Sequence, residues 1–137
     1  AYKNGVETVL NPAPANKPSD ILLQNTSWFI PNEIEFEEIY GDIFNENNLL
    51  LFAKNVDTNV VVTLGEKGCA YIENNSVKII KADSVKAIDT TGAGDAFVGA
   101  FSFALASKLD IEECLKLALK KATDSVTKKG TQSSYKN

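Results

Sequence analysis

Short β-rich runs alternate along the first half of the chain with segments whose apolar residues recur at helical spacing. The runs are Val6 to Leu10, Ser27 to Ile30 and Asn59 to Leu64, and the helical segments lie near Ser19 to Gln24, Ile34 to Tyr40 and Leu49 to Ala53. This alternation is typical of parallel strands joined by crossover helices. Because Asn59 to Leu64 is almost continuously apolar and β-branched, it favours a central strand buried on both faces.

The second half predicts a hairpin followed by two helices. Cys69 to Ile72 and Val77 to Ile80 flank the polar loop Glu73 to Ser76, which indicates an antiparallel hairpin at the edge of a mixed sheet. A buried helix is predicted from Gly94 onward, with a stripe formed by Ala96, Phe97, Ala100, Phe101, Ala104 and Leu105. A second helix is predicted over Ile111 to Val126, with an inner face of Leu115, Ala118, Leu119 and Ala122 and a stop at Lys128-Lys129-Gly130.

Composition excludes several classes of protein. Hydrophobic residues make up 44% and charged residues 23% of the 137 residues, as in ordinary globular domains. The net charge of −4 argues against a nucleic-acid partner, and no apolar stretch is long enough to span a bilayer. Without histidine, a zinc site or a Ser/His/Asp triad is not expected. The absence of methionine and of a leader indicates a piece of a longer protein from a reducing compartment, the cytoplasm.

Asp89-Thr90-Thr91-Gly92-Ala93-Gly94-Asp95-Ala96-Phe97 is the strongest chemical signal, because its small residues lead directly into an apolar helix. Gly92 and Gly94 let the backbone approach a phosphate, and the free N–H groups and dipole of the helix start favour negative charge. Asp95 beside such an anion site can accept the proton of an attacking hydroxyl. The ordinary alternative is a turn made by the glycines and a helix start favoured by the aspartate.

This nonapeptide resembles a signature of the ribokinase family, the phosphofructokinase-B class of carbohydrate kinases. Other segments match the family in order and approximate spacing: Asn11-Pro12-Ala13-Pro14-Ala15, Pro31-Asn32-Glu33-Ile34-Glu35, Thr63-Leu64-Gly65-Glu66-Lys67-Gly68 and Ser125 to Tyr135. The resemblance covers essentially the whole chain. It implies a three-layer αβα fold with a mostly parallel sheet and an antiparallel edge hairpin. It also implies transfer of the γ-phosphoryl group of ATP to a sugar hydroxyl, most specifically of D-ribose, giving ribose 5-phosphate.

The resemblance assigns catalytic positions to Gly92, Ala93, Gly94 and Asp95. Thr63, Gly65 and Gly68 follow the predicted central strand, at the carboxyl end where open α/β sheets bind ligands. A plain strand-to-turn sequence is the ordinary interpretation of these three residues, whereas the resemblance assigns Thr63 and Gly65 to ATP contacts.

Asn32 and Glu35 place an amide and a carboxylate one helical turn apart, just after a predicted strand. Such a pair can hold the water shell of Mg²⁺, which prefers oxygen ligands and keeps several waters. A helix-start asparagine followed by a solvated glutamate is the alternative. The resemblance favours a role near magnesium and phosphate.

A K⁺ site is implied by the resemblance alone, built from backbone carbonyls and a few side-chain oxygens. Its positions here are Asp89, Thr91, Ser125, Lys128, Gly130 and Ser134. Leu119 departs from the family, which usually has Asn or His there, near the adenine and its ribose. Lys120-Lys121 likewise replace a run of small residues.

The resemblance also identifies what this chain lacks. It implies that an amino-terminal half with the sugar-binding segment and lid, which supports a homodimer, is missing, so the fragment alone is expected to be inactive. A non-catalytic nucleotide-binding module, or a kinase for fructose or adenosine, remains an alternative.

Overall fold

The computed structural model of the chain describes residues 7–12, 18–19, 22–23, 25–82 and 93–127. The described part divides into two compact units. The first comprises the residues up to Leu64 together with Ala70–Ile79, and the second comprises Gly65–Cys69 and the residues from Ile80 onward. No helix within the described ranges is long and apolar enough to cross a membrane.

Within the residues that the structure describes, five strands form one sheet in the order in which they occur along the chain. They are β1 (Val9–Leu10), β2 (Trp28–Phe29), β3 (Asn59–Thr63), β4 (Cys69–Glu73) and β5 (Ser76–Ile80). The pairs β1–β2 and β2–β3 are parallel. The turn between β4 and β5 is too short for the crossover that parallel strands need, so this pair is antiparallel. The predicted mixed α/β character and the predicted hairpin are confirmed.

Strand β3 is central, as predicted. Val60, Val61 and Val62 are all almost fully buried. Successive side chains of a strand point to opposite faces, so both faces of β3 are covered. The predicted first strands, Val6 to Leu10 and Ser27 to Ile30, are shorter in the structure, since β1 and β2 have two residues each.

The hairpin loop is shorter than predicted, because Glu73 and Ser76 belong to the strands. Only Asn74 and Asn75 remain in the turn, with φ angles of 54° and 61°. Two successive residues with positive φ are the geometry of a type I′ turn, whose twist matches that of the flanking strands. Asparagine tolerates this left-handed region better than most residues, which explains why both turn positions are asparagine.

Helices α1 (Glu33–Tyr40) and α2 (Glu46–Val56) build the core of the first unit. Asn32 and Asn45 cap their N-termini, and Gly41 and Asp57 end them in the left-handed conformation. The core joins both helices to the sheet and consists of Leu23, Phe29, Phe36, Ile39, Leu49, Phe52, Val60, Val62 and Ala70. Phe36 and Phe52 meet edge to face, with ring centroids 5.5 Å apart.

In the second unit, α3 (Ala93–Ala106) packs against α4 (Ile111–Thr127). The buried residues Phe97, Phe101 and Ala104 of α3 were predicted, and so were Leu115, Ala118 and Leu119 of α4. The predicted Ala122 is only half-buried, and the buried Cys114 was not predicted. The expectation that α3 is buried as a whole is wrong. It is buried along one stripe only, since Gly94, Asp95 and Gly99 are exposed and Phe103 retains 70% of its accessible surface.

Candidate active site

The carboxyl ends of β2 and β3 bring two of the predicted residues together. Asn32 follows β2 and aligns with Thr63 of β3 in an isolated parallel bridge. The backbone N–H of Thr63 donates to the carbonyl of Pro31 over 3.0 Å, which fixes this alignment. Asn32 is exposed and Thr63 is half-buried, so both lie at the edge where α/β sheets bind ligands.

Asn32 and Glu35 form a capping box at the start of α1. The Asn32 side-chain oxygen accepts from the Glu35 N–H at 2.7 Å, and a Glu35 carboxylate oxygen accepts from the Asn32 N–H at 2.8 Å. These two hydrogen bonds satisfy backbone N–H groups that have no partner within the helix. The helix-start alternative is therefore realised. The second carboxylate oxygen of Glu35 takes no part in the box.

Asn32 and Glu35 suit a magnesium ion that keeps its waters better than one that is coordinated directly by several side chains. Within the described ranges, no three acidic, cysteine or histidine side chains lie close enough together to hold a metal ion. Mg²⁺ is commonly bound through one or two carboxylates while it keeps several waters. Asn32 and Glu35 fit such an indirect contact.

Gly65 and Gly68 have different structural reasons to be glycine. Gly65 has a φ of +62° at the start of the 3₁₀ turn Gly65–Lys67, and a Cβ there would meet nothing within 4 Å. Gly68 is buried with a φ of +107°, and its Cβ would lie 1.9 Å from the carbonyl oxygen of Ile80. Gly68 is thus fully explained by backbone packing, whereas Gly65 leaves open space beside it.

Ala93, Gly94 and Asp95 form the first turn of α3. Gly94 is exposed, has no positive φ, and a Cβ on it would meet no described atom within 4 Å. Glycine inside a helix costs about 1 kcal/mol relative to alanine, and no described contact explains that cost here. Asp95 follows with an exposed side chain at the positive end of the helix dipole. Gly94 and Asp95 of this turn are therefore both exposed to solvent.

Leu119 lines a cavity of about 250 Å³ within the second unit. The other lining residues are Ile80, Lys81, Ala82, Lys116, Lys120 and Thr123. Leu119 itself retains only 7% of its accessible surface, whereas the three lysines are exposed. The cavity combines an apolar floor with a cationic rim, and its volume is close to the lower end for ligand pockets.

Sequence reasoning missed Lys81, Lys116 and Thr123 as lining residues of this cavity. The signal was present on α4, because residues 116, 119, 120 and 123 are three or four apart and share one helix face. Lys81 comes from the end of the hairpin, and only the tertiary fold brings it there.

Most of the predicted K⁺ positions lie outside the described residues, namely Asp89, Thr91, Lys128, Gly130 and Ser134, and so does the predicted catalytic Gly92. Ser125 is described. Its hydroxyl donates to the carbonyl of Ala122 at 2.9 Å, which leaves the oxygen able to accept or to bind a cation.

Neither cysteine has the environment of a nucleophile. Both Cys69 and Cys114 are buried and form no disulfide. Burial raises the pKa of Cys69 to about 12, which keeps it in the unreactive thiol form at neutral pH. Burial therefore argues against a nucleophilic role for either cysteine.

The fold and the sequence of the chain are similar to those of carbohydrate kinases. The family described as pfkB family carbohydrate kinase matches residues 1–137, so the chain belongs to that family. A ribokinase of Haemophilus influenzae is 43% identical over 140 residues, and the match covers 98% of this chain and 45% of the relative. A deoxyribokinase of Salmonella typhi is 40% identical over 139 residues, covering 97% of this chain and 45% of the relative.

The solved structure of Arabidopsis thaliana ribokinase complexed with ribose and ATP shares the fold. Its TM-score is 0.84 at 28% identity, with 94% of this chain and 44% of that chain covered. The chain spans less than half the length of the relatives it matches.

Proposed function

We propose that this chain is the C-terminal, nucleotide-binding and catalytic part of an ATP-dependent sugar kinase, with D-ribose as substrate and ribose 5-phosphate as product. The family and the complex of the Arabidopsis relative with ribose and ATP support a sugar and a nucleoside triphosphate as substrates. The observation that carries the proposal is the first turn of α3. There an exposed carboxylate follows a glycine that no described contact of the fold explains.

Asp95 is the general base of this reaction. Its carboxylate accepts the proton of the sugar hydroxyl while the hydroxyl oxygen attacks the γ-phosphorus. The bond between that phosphorus and the bridging oxygen breaks, and ADP leaves with the electron pair. Because the transition state spreads negative charge over the phosphoryl oxygens, stabilisation depends mainly on donors and cations placed around it. The N–H groups at the start of α3 and the loop residue Gly92 supply such donors.

The remaining predicted residues hold the nucleotide and its ions. Thr63 and Gly65 contact ATP, and the open space beside Gly65 is consistent with a ligand that lies against the backbone. The cavity lined by Leu119 receives the base. Asn32 and Glu35 hold waters of Mg²⁺, which neutralises charge on the phosphates when it is bound.

A K⁺ ion completes the proposed site. Asp89, Thr91, Ser125, Lys128, Gly130 and Ser134 would supply oxygens for it, and its positive charge would stabilise the segment that precedes Asp95. A large, weakly hydrated ion suits several neutral oxygens and one carboxylate.

A second sugar is favoured by a specific comparison. The deoxyribokinase relative is almost as similar to this chain as the ribokinase relative, 40% against 43% identical. The two sugars differ at the 2-hydroxyl. Parallel rate measurements with ribose and 2-deoxyribose therefore decide between them.

The full-length protein with Asp95→Asn tests the proposed base. We expect kcat to fall by about 10² to 10⁴-fold, the usual contribution of a general base, while ATP binding is retained. Asp110→Asn is the matched control. Asp110 also lies at a helix start, where its carboxylate accepts from the N–H of Glu113 at 2.9 Å, and asparagine caps helices equally well. Wild-type kcat in Asp95→Asn would exclude this residue as the base.

A further inference from the structure

The two helices of the second unit present different side chains to solvent. Every exposed position of α4 that the structure describes carries a charged residue: Glu112, Glu113, Lys116, Lys120, Lys121 and Asp124. The exposed positions of α3 are Gly94, Asp95, Gly99, Phe103 and Ala106, and only Asp95 among them is charged. Surface helices carry polar residues on the face that meets water, whereas a helix that is apolar all round is buried in a larger protein. By this criterion α4 has a solvent face and α3 lacks one.

The exposed residues of α3 lie along one face of the helix. Asp95, Gly99 and Phe103 follow one another at intervals of four residues, and Ala106 extends the row. We call these four residues the Gly99 face. It lies opposite the buried stripe that packs against α4. Phe103 retains 70% of its accessible surface, so its ring is available for burial by another element.

Gly99 lies inside α3, where glycine is less favourable than alanine. A Cβ on Gly99 would meet no described atom within 4 Å, so packing among the described residues does not require glycine there. Without a side chain, the backbone of α3 is open to close approach between Asp95 and Phe103. An apolar face offers no partners for backbone N–H and C=O groups, and a helix satisfies those groups within itself. A second helix is therefore the element that fits the Gly99 face.

The length of the relatives indicates where such a helix comes from. The chain spans 45% of the ribokinase and deoxyribokinase relatives, so more than half of their length has no counterpart here. A general base must lie within hydrogen-bond reach of the hydroxyl that it deprotonates. Since the proposed function makes Asp95 that base, the part of the protein that holds the sugar must lie against the Asp95 end of the face. A second copy of the chain on this face would cover Asp95 without supplying the groups that hold the sugar.

We infer that the Gly99 face is the docking surface for a helix of the amino-terminal, sugar-binding part of the protein. This helix packs over Gly99 and against Phe103, and it holds the sugar-binding part beside Asp95. The inference rests on the proposed function, which assigns the sugar to that part. It explains both the apolar character of the face and the glycine inside α3.

Photo-cross-linking of the full-length protein tests the docking surface. A photoreactive benzoylphenylalanine in place of Phe103 should form a cross-link within one molecule, to a peptide that precedes Ala1. The same amino acid in place of Lys121 is the control, because Lys121 lies on the charged face of α4 and should form no such cross-link. Mass spectrometry identifies the peptide, and a denaturing gel separates cross-links within one molecule from those between two. Any other partner, or a yield at position 103 no higher than at position 121, would overturn the inference.

The variant Gly99→Ala gives a second test, in which the sign of the effect decides. On a solvated helix face this change removes an unfavourable glycine and raises the melting temperature. Against a closely packed helix the new methyl group is overpacked, so the melting temperature of the full-length protein should fall by roughly 2 to 4 °C. A rise would show that no element lies against Gly99 and would contradict the docking surface.

Neither measurement requires turnover, so the two proposals can fail separately. Full-length protein that forms the expected cross-link but transfers no phosphoryl group would contradict the proposed function and leave the docking surface in place. Active protein without the cross-link would contradict the docking surface alone.

Discussion

Glu35 shows how one side chain can serve both the fold and a proposed site. One of its carboxylate oxygens closes the capping box with Asn32, and the other takes no part in it. A structural role and a magnesium role are therefore compatible, but they depend on different properties. Capping needs an acceptor oxygen, which glutamine also provides, whereas attraction of a hydrated cation needs the negative charge.

Substitution of Glu35 separates these properties. In Glu35→Gln we expect unchanged thermal stability and a half-saturating Mg²⁺ concentration raised by about tenfold, as for other residues that act on a metal indirectly. Glu35→Ala should show the same change in Mg²⁺ dependence and in addition lose up to about 1 kcal/mol of stability, because the cap is broken. Magnesium titrations of the kinase rate and thermal unfolding measure the two effects. Equal Mg²⁺ dependence in wild type and Glu35→Gln would show that Glu35 only caps α1.

The two glycines of the segment after β3 give a paired prediction. Gly68→Ala should lower the free energy of unfolding by roughly 3 kcal/mol, because the new methyl group collides with the Ile80 backbone and the positive φ is strained. Gly65→Ala adds only the strain of a positive φ, about 1 kcal/mol, since no described atom lies within 4 Å of the added Cβ. If Gly65 contacts ATP, Gly65→Ala should in addition raise the KM for ATP. Denaturant titrations and ATP kinetics check both, and equal losses of stability would contradict the packing argument.

At the scale of elements, α3 ends in a Schellman motif whose left-handed position is occupied by a lysine, which is unfavourable there. The N–H of Leu109 donates to the carbonyl of Ala104, and the N–H of Lys108 donates to that of Leu105. This geometry places Lys108 in the left-handed region, with a φ of 67°, where glycine is the usual residue.

Lys108→Gly should therefore stabilise the protein by about 1 kcal/mol, because the left-handed conformation costs glycine little. Lys121→Gly, inside α4, is the opposite control and should cost about 1 kcal/mol. Chemical denaturation of both variants measures the difference. Destabilisation by Lys108→Gly would mean that the lysine side chain makes a contact worth more than the strain.

Elements with strong periodic patterns could be predicted from the sequence, and their detailed ends could not. The valines of β3 and three of the four predicted inner-face residues of α4, Leu115, Ala118 and Leu119, are buried as predicted, because burial imposes a period on the residues themselves. The hairpin turn was predicted too long, since Glu73 and Ser76 are polar but belong to exposed strand positions. Polarity distinguishes surface residues from interior residues, but it does not distinguish the residues of a loop from those at the exposed end of a strand.

The candidate site was predictable where local sequence determines it. Asn32 and Glu35 are close because three positions separate them at a helix start, and Asn32 meets Thr63 because both follow neighbouring parallel strands. The cavity at Leu119 was not predicted, although Leu119 itself was singled out by the resemblance. Lys81 reaches it through the fold rather than through spacing, and no local pattern indicates such a contact.

For the whole molecule, the proposed cation site predicts a dependence on the monovalent salt. We expect the rate of sugar phosphorylation to fall severalfold when Na⁺ replaces K⁺ at constant ionic strength, because the smaller ion is held less well by the oxygens proposed for the larger one. Exchange of salts tests the site better than mutagenesis, since backbone carbonyls are unaffected by most substitutions. Choline chloride at the same ionic strength is the control. Equal rates in all three salts would remove the proposed site.

The two buried thiols allow transient opening of the protein to be measured by chemical labelling. Cys69 and Cys114 are inaccessible in the folded state, so a thiol reagent labels them only when β4 or α4 exposes them. Where opening and closing are fast, the labelling rate follows the free energy of opening. A nucleotide at 100 times its dissociation constant adds about 2.7 kcal/mol to that free energy, so labelling through global opening should slow about 100-fold. Mass spectrometry of the two cysteines would thus measure the affinity for ATP without any turnover, and labelling through global opening that is unaffected by ATP would show that ATP does not bind.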